Sequence, residues 1–366
     1  MKKISRRQFI KTAAAGAAGV AAMSILGACS GGSSSSSSSS SSGSSSKPAE
    51  TKAAGGDAAP MEEKTYTIRC GITVSTDSVA AQALAVFKEE VEKATNNTVM
   101  VEVHPDGTLG NERDVIEGVS LGTVEMFCGS TAPLTNFTDA FNVWDLPFVV
   151  DINNMQAAYD IMDGPVGQAM LDQLADIGAK GLAMAHNGFR FILNRVKEVA
   201  TPDDIKGLVI RTMENDVHMA FYQACGANPT PMASTEAFTA LAQGTIDGMD
   251  NNLDAFYTQG AYESAKFLSL TGHIFSASIF LMNKAIFDEM SETQQNAILA
   301  GIKKAADFQR EGCTEGMETI KKIAAEDYGV TVTEIPDLTP WKDCCANLYD
   351  QYKGGIKEDY WNAFFA

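Results

Sequence analysis

The chain has 366 residues, 45% of them apolar, and its 46 acids outnumber 28 lysines and arginines to give a formal charge of −18. So acidic a body excludes a nucleic-acid partner, whose phosphates require a basic face. The apolar content and length exceed what one ordinary domain buries, so two lobes are expected.

The first 28 residues read as an address. Ser5–Lys11 (SRRQFIK) carries paired arginines, and a small-residue apolar run from Ala13 to Leu26 leads into Leu-Gly-Ala-Cys. That run is about 14 residues against the roughly 20 that span a bilayer, so it predicts a removable signal over an anchor. It looks like a twin-arginine export signal joined to a lipobox, with Cys29 lipidated as the new N-terminus. The general secretory route tolerates Arg-Arg and stays open. Removal of residues 1–28 takes away five basic residues and no acid, leaving −23. Residues 29–63, headed by a serine tract with nothing to bury, predict a disordered tether with an r.m.s. span of about 30–35 Å. No later run reaches 18 uninterrupted apolar residues, so no second membrane crossing is expected.

From Thr65 strand-like and helix-like segments alternate. KTYTIRCGI reads as a strand, Ser78 to Ala94 as an amphipathic helix with Leu84, Phe87 and Val91 on one side, and NTVMVEVHP as a second strand. A helix from Glu112 to Ser120, stopped at Gly122, leads into the strand TVEMFCG. LAMAHNGFRFIL predicts a strand, a turn at Asn187-Gly188 and another strand, as a hinge between lobes requires. The second half repeats the grammar: Thr201-Pro202-Asp203-Asp204 opens a short helix that Gly207 ends, LVIR follows as a strand, and a helix stopped at Gly244 leads into TIDGMDN. Gly122-Thr123-Val124-Glu125 and Gly244-Thr245-Ile246-Asp247 share one pattern at equivalent points of two βαβ series, which predicts related lobes with a largely parallel sheet. A long helix over Glu292 to Glu326 would cross both, and WNAFF would close the chain as a helix. The predicted fold class is α/β, a two-lobed periplasmic-binding-protein-like fold with a hinge. Lobe I is expected at 64–187 and 276–315, lobe II at 188–275 and 316–366.

The sequence carries no Gly-x-Ser-x-Gly, no His-Glu-x-x-His, no nucleotide-binding glycine loop and no Ca²⁺ loop. Its four histidines show no i, i+4 pairing, and its cysteines show no metal spacing, so neither metal nor cofactor is expected. The adjacent Cys344-Cys345 would make a strained bridge, and the redox state of Cys70, Cys128, Cys225, Cys313, Cys344 and Cys345 stays open. What the sequence offers is polar residues at strand ends: Arg190 after the hinge, Arg211 closing LVIR, and Asp250, Asn251 and Asn252 after TIDGM. Strand ends of open α/β sheets form ligand crevices, and a guanidinium fork matches a carboxylate. Position alone leaves open that these arginines pair with the protein's own acids, Asp203 or Asp250.

The segments NGFR…TPDDIKGLVIRTM, GANPTPMASTEAFTALAQGTIDGMDNN, HPDGTLGNERDVIEGVSLGTVEM and FNVWDLPFVV, linked motifs in correct order within a resemblance from about Tyr66 to about Lys322, strongly resemble the DctP-type substrate-binding proteins of TRAP transporters. The resemblance implies an extracytoplasmic receptor whose cleft closes over a small organic acid and delivers it to a membrane permease, without catalysis. It implies that Arg211 forms the main ligand salt bridge, Arg190 is a second cleft arginine, Asn251 holds the acid, and Glu112 lies where some members contact ligand hydroxyls. Ser278 and Ser234 stand where sugar-acid binders often carry a glutamate and an aromatic, which argues against a hexuronate. A C4-dicarboxylate, a sugar acid and a branched keto acid all stay compatible. A sensory binding protein would use the same cleft, and an exported enzyme would need a nucleophile and base that the sequence does not show together.

Overall fold

The computed structural model describes residues 63–365, and the chain from Lys64 onward forms one compact unit. The export signal at 1–28, Cys29 and the serine tract lie outside the described residues.

The chain begins with β1 (Tyr66–Gly71), α1 (Val79–Ala94), β2 (Val99–His104), α2 (Glu112–Leu121) and β3 (Met126–Ser130). Helices α3 (Met155–Asp163) and α4 (Pro165–Gln173) lead into the long strand β4 (Ala179–Asn194). The grammar then repeats as α5 (Pro202–Ile205), β5 (Val209–Thr212), α6 (Asp216–Ala224), β6 (Asn228–Pro231), α7 (Ser234–Gln243) and β7 (Gly248–Asn251). Helix α8 (Leu253–Thr258) precedes a second long strand, β8 (Phe267–Asn283), followed by α9 (Lys284–Glu289) and α10 (Glu292–Tyr328). Strand β9 (Thr331–Thr333) and helices α11 (Thr339–Cys345), α12 (Asn347–Lys353) and α13 (Glu358–Phe365) end the chain.

Among the described residues nine strands form one sheet ordered β2-β1-β3-β8-β4-β7-β5-β6, with β9 beside β8. Pairing is parallel within β2-β1-β3, within β7-β5-β6 and between β8 and β9, as expected of the two βαβ series, but β3–β8, β8–β4 and β4–β7 are antiparallel, so the sheet is mixed with an antiparallel centre. The antiparallel centre comes from β4 and β8, 16 and 17 residues long, which run through both halves. The expected turn at Asn187-Gly188 is a bulge inside β4: the register with β8 jumps between His186 and Phe189, and Gly188 takes φ +87°. A left-handed dihedral costs glycine little, so the strand bends there without ending.

The repeated Gly-Thr-β-branched-acid pattern performs the same local work twice. Gly122 and Gly244 cap α2 and α7 in the left-handed conformation. Thr123 and Thr245 hydroxyls donate to the carbonyls of Gly118 and Ala240. Glu125 accepts the backbone N–H of Arg69 in β1 at 3.0 Å, and Asp247 accepts that of Val209 in β5 at 2.8 Å. Both acids precede their strands and satisfy orphan sheet donors, so they are structural and not part of a site.

Two hydrophobic cores flank this sheet. One gathers Phe87 and Val91 of α1, Ile68 of β1 and Ile298 and Ile302 of α10. The other gathers Ile210 of β5, Phe221 of α6 and Trp341 and Leu348 of the C-terminal helices. Helix α10 has 37 residues, about 55 Å at 1.5 Å each, and contacts both sheet regions. Its start is fixed by a Ser291/Gln294 capping box and its end by Gly329. Among the described residues no helix is long and apolar enough to cross a membrane.

Candidate functional site

The C-terminal ends of β5 and β7, the β4 bulge and the N-termini of α1, α2 and α8 converge on a cleft with about 540 Å³ of space between atoms, part of it open to solvent. Capping chemistry sets most of its wall. Asn111 caps α2 and places Glu112 in the first turn, Ser78 caps α1, and Asn252 caps α8 by accepting from the Ala255 N–H at 2.8 Å. A wider groove of about 1260 Å³ opens near Asp151 and Lys321. Its charges, such as Glu318 and Glu334, are largely exposed, so it lacks the desolvated cations of the first cleft.

The two arginines have different surroundings. Arg190 lines the cleft, yet its Nε and Nη2 donate to the Asp250 carboxylate at 2.9 and 2.8 Å, and Nη2 also reaches the Asp250 carbonyl at 2.6 Å. Both side chains are buried. Burial opposes the Arg190 charge, but Asp250 more than offsets that and raises its pKa, while Arg190 with His273 holds Asp250 well below the ordinary carboxylate range against its own burial. His273 Nε2 lies 3.2 Å from Asp250 and 3.1 Å from the Tyr222 hydroxyl, and Thr271 meets its Nδ1. Burial lowers the His273 pKa despite Asp250. Asp250 therefore stands behind Arg190 and does not line the cleft, contrary to its expected place among the ligand contacts.

Arg211 is equally buried, but its Nε and Nη2 donate only to the Met232 carbonyl, at 2.9 and 2.6 Å. Among the described residues no carboxylate lies within ion-pair distance of it. Burial and repulsion from Arg190 bring its pKa down to about 10. A carbonyl neutralises no charge, so this guanidinium favours an anion in the cleft.

Acids occupy other parts of the wall. Glu112 Oε1 accepts the Ser130 N–H at 3.0 Å and lies over β3 at Gly129, where an added Cβ would stand 2.6 Å from that oxygen. Burial raises the Glu112 pKa against the pull of that bond and of both arginines. Asp254, in the first turn of α8, accepts the Val79 N–H of α1 across the cleft at 3.2 Å, and burial lifts its pKa to about 6. Asn251 uses its side-chain oxygen on the Asn252 N–H, leaving its amide N–H₂ to donate into the cleft. Ser78, Ser130, Ser234 and Ser276 add hydroxyls.

Five of the six expected contact residues thus meet in one cleft: Arg190, Arg211, Asn251, Asn252 and Glu112. Asp254, Asn187, Ser130 and Ser276 were missed, because an acid in a helix first turn and serines in strands look the same whether they face solvent, core or ligand. Ser278 lies outside the cleft wall and accepts from Gln309 of α10 at 3.1 Å, so its identity does not argue against a hexuronate. Among the described residues no group of histidines, cysteines and acids could hold a metal ion.

The profile of the DctP family, bacterial extracellular solute-binding protein family 7, matches residues 70–354. That of the twin-arginine translocation signal matches residues 3–23. A solute-binding protein of Verminephrobacter eiseniae is 40% identical over 244 residues, covering 67% of this chain and 72% of its own. The sugar acid binding protein of Advenella mimigardefordensis in complex with galactonate superposes with a TM-score of 0.79 at 32% identity, covering 83% of this chain and 98% of that one. A TRAP periplasmic solute-binding protein of a Polaromonas species, bound to D-erythronate, gives 0.76 at 33% identity over 82% of this chain and 97% of that one.

Proposed function

The chain belongs to the bacterial extracellular solute-binding proteins of family 7, the DctP receptors of TRAP transporters, and from that premise we propose that it captures a polyhydroxylated monocarboxylate, a sugar acid. The family binds and delivers solutes and does not turn them over. The observation that carries the ligand class is the charge inventory of the cleft: one arginine, Arg211, lacks an acidic partner, while Glu112 and Asp254 stand elsewhere in the same wall. A single carboxylate satisfies Arg211, with Asn251 donating to it or to a neighbouring hydroxyl. A second carboxylate would find Arg190 already committed to Asp250 and would be repelled by the two acids, whereas hydroxyl groups donate to those acids and bond the serines. The galactonate and D-erythronate complexes of the related proteins fit this chemistry.

Binding couples to closure in this reading. Residues 64–187 with 276–315 and residues 188–275 with 316–366 move as two lobes about the β4 bulge and its β8 partner. Glu112 and Ser78 meet the ligand only in the closed form, so the ligand favours closure by that differential contact. The arginine contact strengthens as water leaves. Export by the twin-arginine route places the receptor outside the cytoplasm, a lipid on Cys29 holds it at the membrane, and a TRAP permease takes the acid.

Calorimetry with galactonate, D-erythronate and succinate tests the ligand class. One or both sugar acids should bind with succinate at least a hundredfold weaker; succinate binding as tightly as either would overturn it.

A further inference from the structure

Outside the cleft, the side chains with the most unusual proximity are three thiols beneath the C-terminal helices. Cys225, the C-cap of α6, places its Sγ 2.6 Å from that of Cys344 in α11. Non-bonded heavy atoms rest at about 3.5–4.0 Å, and a disulfide spans about 2.05 Å, so this pair is far inside ordinary contact. Cys344 and Cys345 both donate to the Trp341 carbonyl, at 3.1 and 3.2 Å. Cys225 and Cys345 are buried, while Cys344 is half-buried and accessible to a partner. The surroundings are rigid: Trp341 is fully buried, with its Nε1 on the Ala200 carbonyl at 3.0 Å, and Phe221, Cys225, Trp341 and Leu348 share one core.

We propose that Cys225 and Cys344 form a structural disulfide in the exported protein, stapling the C-terminal helices to α6. The electron acceptor is a disulfide-bearing protein of the thiol–disulfide exchange class, which extracytoplasmic compartments contain. The Cys344 thiolate attacks one sulfur of that disulfide, forming a mixed disulfide and expelling one thiolate. The Cys225 thiolate then attacks Cys344 Sγ, closing the Cys225–Cys344 bond and expelling the second. Two thiols are oxidised, one disulfide is reduced to a dithiol, and the two thiol protons pass to the leaving thiolates. The flanking Cys225 and Cys345 thiols hold the Cys344 thiol well below its ordinary pKa, which suits it to the first attack. Cys345, buried with its thiol on the Trp341 carbonyl, is left as a thiol.

The test is a thiol map of the mature protein purified from the exported fraction, alkylated in denaturant without reductant and digested for mass spectrometry. A linked Cys225–Cys344 peptide, two hydrogens lighter than its reduced parts, with Cys70, Cys128, Cys313 and Cys345 alkylated, is the expected result. Alkylation of both Cys225 and Cys344, or a link through Cys345, overturns it. Reductant should lower the wild-type Tm by roughly 5–10 °C and leave Cys225→Ser unmoved. An unchanged wild-type Tm overturns the stapling role, and the peptide map decides the bond itself if that variant does not fold.

Discussion

Replacing Arg211 by alanine probes the cleft most directly. Nε and one N–H of Nη2 are spent on the Met232 carbonyl, which leaves three N–H donors, two of which can meet a ligand carboxylate bidentately. Charge-assisted hydrogen bonds contribute about 1.5–3 kcal/mol each, so the pair is worth about 3–6 kcal/mol, or roughly a hundredfold to ten-thousandfold in Kd. The loss at Met232 occurs with and without ligand, so it cancels from affinity and appears in Tm instead. Arg211→Lys should recover only part of the affinity, because a single ammonium returns the charge and not the planar fork. Calorimetry with the sugar acid that binds wild type measures both variants. A Kd for Arg211→Ala within about threefold of wild type, in a protein with native circular dichroism, would remove Arg211 from the ligand site and with it the charge argument for a monocarboxylate.

Arg190→Ala should act on stability before affinity: it leaves Asp250 buried without its cation, at a cost of about 3–5 kcal/mol. The double change Arg190→Met with Asp250→Asn should recover much of that in urea denaturation, since no charge is then stranded; equal destabilisation by both variants would show that the pair is not the source. Asp254 governs a pH window. Its folded pKa, about 6, lies above the ordinary 3.8, so between those values the folded state keeps a proton that the unfolded chain has lost. Stability therefore falls as pH rises through that window, and Asp254→Asn should flatten that part of a Tm-against-pH profile. An unaltered profile would place the carboxyl in water.

Much of the fold was readable because local chemistry and architecture agreed. Ser78, Asn111 and Ser291 mark helix starts, Gly122, Gly244 and Gly329 mark helix ends, and these caps fall within a residue or two of the expected boundaries. The Gly-Thr-β-branched-acid repeat proved to be a repeat of hydrogen bonds as well as letters. The antiparallel centre was not readable, because a buried strand such as β8 carries the same apolar run whichever way its neighbour points. Asn187-Gly188 illustrates the same limit at finer scale: one glycine dihedral serves a turn or a bulge, and only the pairing of β4 with β8 selects the bulge. At the cleft, the sequence singled out both arginines, which line one pocket, but could not tell which was committed to an internal acid. That depended on Asp250, opposite Ile192 in the adjacent strand β7, reaching diagonally to Arg190, a juxtaposition made by sheet order.

The division of labour between the two arginines follows from their proximity. Two guanidiniums facing one desolvated cleft repel, and that repulsion is part of what lowers the Arg211 pKa. Leaving both uncompensated would double the positive charge to be buried and favour ligands with two carboxylates. Asp250 cancels one charge internally and at the same time fixes the Arg190 plane, so Arg190 remains as a rigid wall beside a single uncompensated cation. Glu112 and Asp254 then set the opposite condition on the rest of the ligand: each has its pKa raised by burial, and each is easier to bury when it meets a hydroxyl donor than when it meets another anion. On the proposed ligand class, selectivity for one carboxylate plus hydroxyls would be built from one committed arginine, one uncommitted arginine and two acids, without any residue having to recognise a particular sugar.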